Sequence, residues 1–271
     1  MQKVIPNIVS IAGVDPSGGA GVLADVKAIS ALGGYACAVI AALTAQNTQA
    51  VTGVLPVSAD FVRLQLKTLF EDVRIDAVKI GMLGDPAVIE VVAQALERYR
   101  PHFVVLDPVM VAKSGDRLLP DDCVKLLKER LLPLATVLTP NLPEAAALLS
   151  RDEITDPKQM PELAQALLGL MSPGAWVLLK GGHFTHEEVP DLLTNAQESL
   201  CLTSPRVMTK NTHGTGCTLS SALAALLPQT SSVPEAMQEA KRYIYEAIAA
   251  ADALDVGHGH GPVHHFYRNG A

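Results

Sequence analysis

The chain has 271 residues, of which 49% are hydrophobic and 18% charged, and its formal net charge is −7. This composition excludes a disordered chain, and the acidic balance argues against nucleic acid or an anionic membrane as the main partner. No apolar run approaches the roughly 18 residues that span a bilayer, and the four cysteines form no CxxC pair, so we expect a cytoplasmic protein without disulfides or a cysteine zinc site.

Short apolar runs alternate with longer amphipathic segments along the chain. The runs are rich in β-branched residues and lack polar alternation, which is typical of parallel strands covered on both faces. They are NIVSIAG (7–13), YACAVIAAL (35–43), DAVKIG (76–81), HFVVLDP (102–108), ATVLTPN (135–141) and AWVLLKGG (175–182). The segments between them have apolar residues at i, i+3 and i+4 and predict helices over 21–33, 60–73, 86–100, 121–133, 143–150 and 160–171.

The pattern changes near residue 189, where PDLLTNAQESLCLTSPRV predicts an edge β-hairpin. Two helices follow, over 217–227 and 233–254. Alternating strands and helices favour an α/β fold with a doubly wound, mostly parallel sheet. Since no linker, repeat or low-complexity segment interrupts the pattern, residues 1–271 are expected to form a single domain.

Polar and glycine-rich sequence follows every predicted parallel strand. In an open parallel sheet, ligands bind beyond the carboxyl ends of the strands, so these segments are expected to line one cleft. They are GVDPSGGAG, TAQNT, GMLGD, DPVMVAKSG, TPNLPEA and KGGH.

Three of these segments contain individual candidates for ligand binding. GVDPSGGAGVLAD (13–25) is glycine-rich before a helix but matches neither a Walker loop nor GxGxxG. Asp25, one turn into that helix, is either an acid favoured by the helix dipole or a partner for a substrate donor. The Gln46 amide suits the edge of a nitrogen heterocycle, with a solvent-facing loop amide as the alternative.

The segment TPNLPEAAALL (139–149) places Asn141 and Glu144 at i and i+3. This spacing predicts a capping box, and the same two groups at a helix start in the cleft could serve a hydrated Mg²⁺. Lys180 ends a buried strand, where its ammonium either reaches solvent or holds a nucleotide phosphate.

The segment NTHGTGCT (211–218) is a glycine turn that opens a helix. Gly214, Thr215 and Gly216 would present unpaired N–H groups at the positive end of the helix dipole, which predicts an anion hole suited to phosphoryl transfer. The same setting predicts a lowered pKa for the Cys217 thiol. Cys217 is then a proton acceptor rather than a nucleophile or a buried filler, and His213 belongs to the turn.

The C-terminal sequence GHGHGPVHHFYRNG contains His258, His260, His264 and His265. A His-rich tract raises the question of metal binding, but no acidic or cysteine ligand accompanies it, so we do not expect a structural metal there.

Seven of these motifs together resemble the bacterial hydroxymethylpyrimidine/phosphomethylpyrimidine kinases of thiamin biosynthesis. The resemblance covers residues 8 to about 265, and its motifs are GVDPSGGAGVLADVKAISALG, ALTAQNT, KIGMLGD, VVLDPVMVAKSG, TPNLPEA, VLLKGGH and NTHGTGCT. The family belongs to the ribokinase superfamily, so the resemblance implies a three-layer αβα sandwich, a homodimer, and ATP-dependent phosphorylation of hydroxymethylpyrimidine and then of its monophosphate.

The resemblance also implies residue roles. The pyrimidine would lie among Gly13, Asp25, Gln46, Met82 and Val109, while Asn141, Glu144 and Lys180 would serve ATP. Mg²⁺ would be held by Glu144 through water, with Asp107 as a second candidate, and a monovalent-cation requirement stays open. Many relatives in the superfamily have a catalytic aspartate where this chain has Cys217, so here the role of the base passes to a thiolate or is weakened.

Three alternatives remain at this stage. A pyridoxal kinase of the same superfamily is the nearest one, and Gln46 and Met82 favour the pyrimidine over it. A non-catalytic pyrimidine-binding module would not need the phosphate-binding groups. A Cys/His hydrolase would need a third partner that the sequence does not supply.

Overall fold

The computed structural model describes residues 4–110 and 120–269 of the chain. Its first half contains strands β1 (Asn7–Val14), β2 (Tyr35–Gln46), β3 (Val51–Pro56), β4 (Ala77–Ile80) and β5 (Phe103–Leu106), with helices α1 (Gly21–Ala31), α2 (Ala59–Phe70) and α3 (Pro86–Tyr99). Its second half contains β6 (Val137–Leu138), β7 (Trp176–Lys180), β8 (Glu188–Thr194) and β9 (Ser199–Pro205), with α4 (Asp121–Leu126), α5 (Leu142–Leu149), α6 (Met160–Leu168), α7 (Thr215–Leu226) and α8 (Val233–Ala249).

The described strands form one sheet in the order β3-β2-β1-β4-β5-β6-β7-β8-β9. The strands from β2 to β7 in this order are parallel, while β3, β8 and β9 pair antiparallel at the two edges. The predicted parallel strands and the predicted hairpin at 189–208 are therefore confirmed.

Alternate residues of the central strands point into two separate cores. Val9, Val78 and Leu106 pack with helices α2 to α6 on one face, and Ile8 and Val105 pack with α1, α7 and α8 on the other. Both faces of the sheet are covered, which explains the continuous apolar strand sequences. The αβα sandwich is confirmed.

Strand β3 was not predicted, and the segment from Thr44 to the turn at 47–50 was expected to be a loop. Instead, β2 continues to Gln46 and pairs antiparallel with β3. The prediction was wrong because VTGVLP contains Gly and Pro and lies almost wholly exposed, so it lacks the burial pattern of the other strands. The β2–β3 hairpin thereby extends past Val14, where pairing with β1 ends.

The predicted helix over 121–133 is also irregular. After α4 the chain continues as a π-helical segment, Leu127–Leu131, and then a short 3₁₀ turn, Leu132–Leu134. Pro133, inside that turn, cannot donate a backbone hydrogen bond, so the chain does not continue as a regular α-helix there. Within the described residues, no helix is long and apolar enough to cross a membrane.

Candidate active site

The carboxyl ends of the parallel strands bring together most of the predicted site residues. Lys180 at the end of β7 donates to Asp107, which follows β5, at 3.0 Å. The Asp107 carboxylate also accepts from Thr139 Oγ1 at 3.3 Å and from Ser220 Oγ of α7 at 3.2 Å. Lys180 keeps 13% of its side-chain surface exposed, whereas Asp107 keeps 2%. The ammonium therefore reaches the cleft, and the carboxylate lies behind it.

Burial and neighbouring charges act against each other at this pair. Burial alone would raise the pKa of Asp107, but Lys180 and Lys79 outweigh it and hold the pKa below its usual value. Burial would likewise lower the pKa of Lys180, but Asp107 and Glu144 raise it. Both groups are therefore charged at neutral pH.

The capping box at the start of α5 is confirmed. Asn141 Oδ1 accepts from the Glu144 amide and Glu144 Oε2 accepts from the Asn141 amide, each at 2.8 Å. Asn141 also forms a backbone bridge with Lys180. Burial raises the pKa of Glu144, with Lys180 lowering it and Asp107 raising it, so Glu144 shares one electrostatic environment with the pair.

The N-terminus of α7 lies against the same pair. A Cβ placed on Gly216 would be 3.3 Å from Lys180 Nζ. Gly214 caps the helix with a φ of +75°, and neither a capping side chain nor an acidic residue is present in the first turn. By contrast, α3, α5 and α8 each have a capping side chain. The first turn of α7 therefore offers the uncapped helix start that an anion site requires.

Gly214 also shows why this turn needs glycine. A Cβ there would overlap the Gly19 carbonyl oxygen, and the backbone adopts a left-handed conformation. The neighbouring His213 is buried, and its Nε2 donates to Asp15 Oδ2 at 2.7 Å. Burial would raise the pKa of Asp15, but bonds from His213 and Ser17 hold it below its usual value. His213 thus joins the loop at 15–20 to the α7 turn and is more than a turn residue.

The expectation of a thiolate at Cys217 is wrong for this structure. Burial raises the pKa of the Cys217 thiol to about 11, and the opposing effects of Lys79 and of a bond from the Gly21 amide do not offset it. The positive helix end was expected to lower the pKa, but the position is too poorly solvated for the charged form. Cys217 is therefore a thiol at neutral pH.

Asp25 lies in the interior rather than on the cleft surface. Its side chain has no exposed area and forms an ion pair with Lys79 of β4. Ser10 and Ser221 each donate to its carboxylate at 2.6 Å. Direct contact between Asp25 and a bound substrate therefore does not fit this structure, and the residue instead ties β1, β4 and α7 together.

Gly13, Met82 and Gln46 gather at the other side of the cleft. The Gly13 amide donates to the Met82 carbonyl at 3.1 Å, and a Cβ on Gly13 would be 2.6 Å from Met82 Cε. Thr44 Oγ1 donates to the Val14 carbonyl at 2.9 Å and lies 3.2 Å from Gln46 Oε1. Gln46 therefore belongs to a strand that passes over the end of β1.

Val109 lies two residues after Asp107, and its amide donates to the Asp107 carbonyl at 2.9 Å. The rest of the DPVMVAKSG motif, from residue 111 on, lies outside the described residues. Within the residues that the structure does describe, no three His, Cys, Asp or Glu side chains are grouped to hold a metal ion. The His-rich C-terminal segment contacts the rest of the chain through its backbone and through the His260 and His265 side chains.

The sequence interpretation missed Lys79, Asp15, Thr139 and the two α7 serines. A single signal was available for Lys79, because a lysine inside the apolar run DAVKIG is unusual in a buried strand. Each of the other four has a partner that is 32 or more residues away in the chain, which no local pattern indicates.

Comparison with known proteins gives consistent results. A family model described as phosphomethylpyrimidine kinase matches residues 15–264. The chain is 54% identical over 261 residues to a hydroxymethylpyrimidine/phosphomethylpyrimidine kinase of Escherichia coli, covering 96% of this chain and 97% of that one.

Solved structures add two relatives. A Bacillus subtilis pyridoxal kinase in complex with ADP is similar with a TM-score of 0.89 and 34% identity, covering 98% of this chain and 99% of that one. A phosphomethylpyrimidine kinase of Clostridium difficile is similar with a TM-score of 0.79 and 37% identity, covering 90% of this chain and 100% of that one.

Proposed function

The chain belongs to the phosphomethylpyrimidine kinase family, and from this premise we propose that it phosphorylates hydroxymethylpyrimidine with ATP and then phosphorylates the monophosphate, for thiamin biosynthesis. The observation that carries the proposal is the uncapped start of α7 beside the Lys180–Asp107 pair. An uncapped helix start with an ammonium beside it favours binding of a transferring phosphoryl group.

In the first transfer, the 5-hydroxymethyl oxygen attacks the γ-phosphorus of ATP. The new oxygen–phosphorus bond forms as the bond from the γ-phosphorus to the β–γ bridging oxygen breaks, and ADP leaves. The amides of Gly216 and Cys217 would stabilise the charge on the transferring group, with Gly214 and Thr215 shaping the turn. The alcohol proton would pass to Cys217 in its deprotonated form, which is a small fraction at neutral pH because burial raises the pKa of the thiol to about 11. The monophosphate would then accept a second phosphoryl group.

Binding roles follow from the positions of the remaining residues. Asn141, Glu144 and Lys180 would bind ATP, since they share one end of the cleft. Gly13, Gln46, Met82 and Val109 would bind the pyrimidine, with the Gln46 amide at its polar edge. Asp25 is buried and would affect substrate binding only by holding β1, β4 and α7 together.

The residues present fit Mg²⁺ bound mainly through substrate and water. Glu144 is one carboxylate at the cleft, and Mg²⁺ commonly uses one or two carboxylates together with substrate phosphates. Asp107 is bonded to the side chains of Lys180, Thr139 and Ser220, whereas Glu144 is bonded to the backbone amides of Asn141 and Met110. Glu144 is therefore the better candidate to hold the water shell. When bound with ATP, Mg²⁺ would neutralise part of the phosphate charge.

Pyridoxal is a second candidate acceptor. The similarity to the Bacillus subtilis pyridoxal kinase, at a TM-score of 0.89, favours considering it. Comparison of kcat/KM for hydroxymethylpyrimidine and for pyridoxal tests the order of preference, and a higher value for pyridoxal would reverse it.

A homodimer is also proposed. Leu43, Val54 and Leu55 of the β2–β3 hairpin are exposed apolar side chains, and a second copy of the chain could cover them. Sedimentation at micromolar concentration would give twice the chain mass.

We further propose that the chain folds as one domain, since one sheet runs through both halves. We also propose that it works in a reducing cytoplasm, where free thiols persist; the free cysteines are Cys37, Cys123, Cys201 and Cys217.

A single assay tests the central proposal. Purified protein is incubated with ATP, Mg²⁺ and hydroxymethylpyrimidine, and both phosphorylated products are followed over time. We expect the monophosphate first and the pyrophosphate second. No ATP turnover with any candidate alcohol would favour a non-catalytic pyrimidine-binding module instead. Labelling of Cys217 by an acyl-directed thiol probe would favour a hydrolase.

A further inference from the structure

The C-terminal segment 257–265, here named the strap, lies between two parts of the cleft that do not adjoin in sequence. It comes from the His-rich tract that the proposed reaction does not use. Its first half is on the surface and its second half is mostly buried. The contacts of the strap are made mainly by its backbone, which accounts for the three glycines between residues 257 and 261.

One end of the strap holds the turn of the β2–β3 hairpin. The Gly259 amide donates to Thr48 Oγ1 at 3.1 Å, and the His260 amide donates to the Thr48 carbonyl at 2.9 Å. A Cβ on Gly259 would overlap the Thr48 carbonyl oxygen, and a Cβ on Gly257 would overlap the Thr48 side chain. Thr48 is two residues beyond Gln46, so the strap fixes the end of the strand that carries the Gln46 amide.

The other end holds the segment before the anion site. The Gly261 amide donates to Asn211 Oδ1 at 3.2 Å, and the Gly261 carbonyl accepts from the His213 amide at 3.0 Å. Further on, His265 Nε2 lies 3.0 Å from Thr218 Oγ1 in the first turn of α7.

These two sets of contacts are only two residues apart in the strap. Beyond Val14, where the pairing of β2 with β1 ends, nearly all of β3 is exposed within one copy of the chain. The distance between Gln46 and the amides of Gly216 and Cys217 therefore depends in part on a short piece of backbone bonded at both ends. In-line transfer depends strongly on such a distance, since reacting atoms must be held within about 3–3.5 Å.

We propose that the strap is a positioning element that fixes the pyrimidine-binding strand relative to the anion site, through Thr48 at one end and Asn211 at the other. The expected effect of the strap on catalysis rests on the proposed function. Its structural role, holding the β2–β3 turn and the segment before α7 in place, does not. Neither residue touches the reacting atoms in this account, so both act by position.

The test is a double-mutant cycle with Thr48→Val and Asn211→Ala. Thr48→Val removes the hydrogen bond from Gly259, while Asn211→Ala removes the bond from Gly261 and also the Asn211 Nδ2 bond to Asp252. Each change is expected to lower kcat/KM for hydroxymethylpyrimidine about three- to tenfold, with KM for ATP changed less than about twofold. If the loss of either contact is enough to free the strap, the fold loss in kcat/KM of the double variant should be well below the product of the two single-variant losses. Thr52→Val is the matched control, because Thr52 Oγ1 donates to Ala45 within the same hairpin and not to the strap.

Hydrogen exchange supplies a readout that needs no turnover. Asn211→Ala should speed exchange of the amides at 44–53, and Thr48→Val should speed exchange of the amides at 209–218, whereas Thr52→Val should leave exchange at 209–218 unchanged. Multiplicative kinetic losses together with purely local exchange changes would overturn the proposal. Absence of phosphorylation in the unaltered protein would contradict the proposed function, while the exchange result would still decide the role of the strap.

Discussion

Lys79 Nζ lies 2.9 Å from both carboxylate oxygens of Asp25, and neither side chain has any exposed surface. The pair joins β4 to α1 beneath the start of α7. Ser221, one turn after Cys217, donates to the same carboxylate, while the Gly21 amide, one turn before Asp25, bonds to the Cys217 sulfur. Helices α1 and α7 are thus bonded to each other at two successive turns, and the buried Lys79 ammonium lies next to these contacts.

Replacing Lys79 with Met should destabilise the protein by about 3–5 kcal/mol, because it leaves a buried carboxylate without its counter-charge. Urea unfolding monitored by circular dichroism measures the loss. Lys67→Met is the control, since Lys67 forms an exposed pair with Glu71 and should cost less than about 1 kcal/mol. Equal losses in the two variants would contradict a structural role for the buried pair.

The activity should rise with pH if Cys217 is the base. Burial raises the pKa of this thiol to about 11, so the thiolate fraction grows about tenfold per pH unit below that value. We expect kcat to follow this slope between pH 7 and 10 when proton transfer limits the rate.

Two variants check this interpretation of the pH profile. Cys217→Ala should lower kcat and flatten the profile, and Cys201→Ala, which removes an exposed thiol on β9, should leave it unchanged. An unaltered kcat in Cys217→Ala would refute the base role and leave the kinase assignment intact.

The high pKa of Cys217 also affects stability. Its pKa is raised above the ordinary value of 9.0, so the folded state favours the protonated thiol, and this contribution is complete below pH 9. It should be lost as pH rises from 9 towards 11. Urea midpoints over this range should fall less in Cys217→Ala than in the unaltered chain, and parallel curves would show that other groups dominate.

Removing the Lys180 ammonium should impair the phosphate chemistry. Lys180→Met removes the charge beside Gly216 and one of the two cations that lower the pKa of the buried Asp107, so circular dichroism first checks that the variant is folded. We expect kcat to fall roughly 10²–10³-fold, with a higher KM for ATP. Lys125→Met, at an exposed position on α4, serves as the control. A kcat within about twofold of the original would exclude a direct role.

Gln46→Ala should weaken use of the pyrimidine by about tenfold in kcat/KM, because one polar contact to the ring edge is lost. KM for ATP should not change. Gln94→Ala, in an exposed part of α3, is the matched amide control. If pyridoxal and hydroxymethylpyrimidine lose equally, Gln46 does not distinguish the two substrates.

The periodicity of apolar residues and the order of the motifs predicted most of the fold and most of the residues expected in the site. Parallel strands covered on both faces leave an uninterrupted apolar pattern, and their carboxyl ends must meet at one edge. One cleft could therefore be assigned without a structure to Asp107, Asn141, Glu144, Lys180 and the glycine turn.

The tertiary structure alone decided which polar groups reach that cleft and in which charge state. Asp25 was expected to face a substrate and is fully buried, because its partner Lys79 is 54 residues away in the chain. Cys217 was expected to be a thiolate and is a thiol, because its desolvation depends on how closely α1, β4 and α7 pack. Burial and long-range pairing set both outcomes, and neither is a property of local sequence.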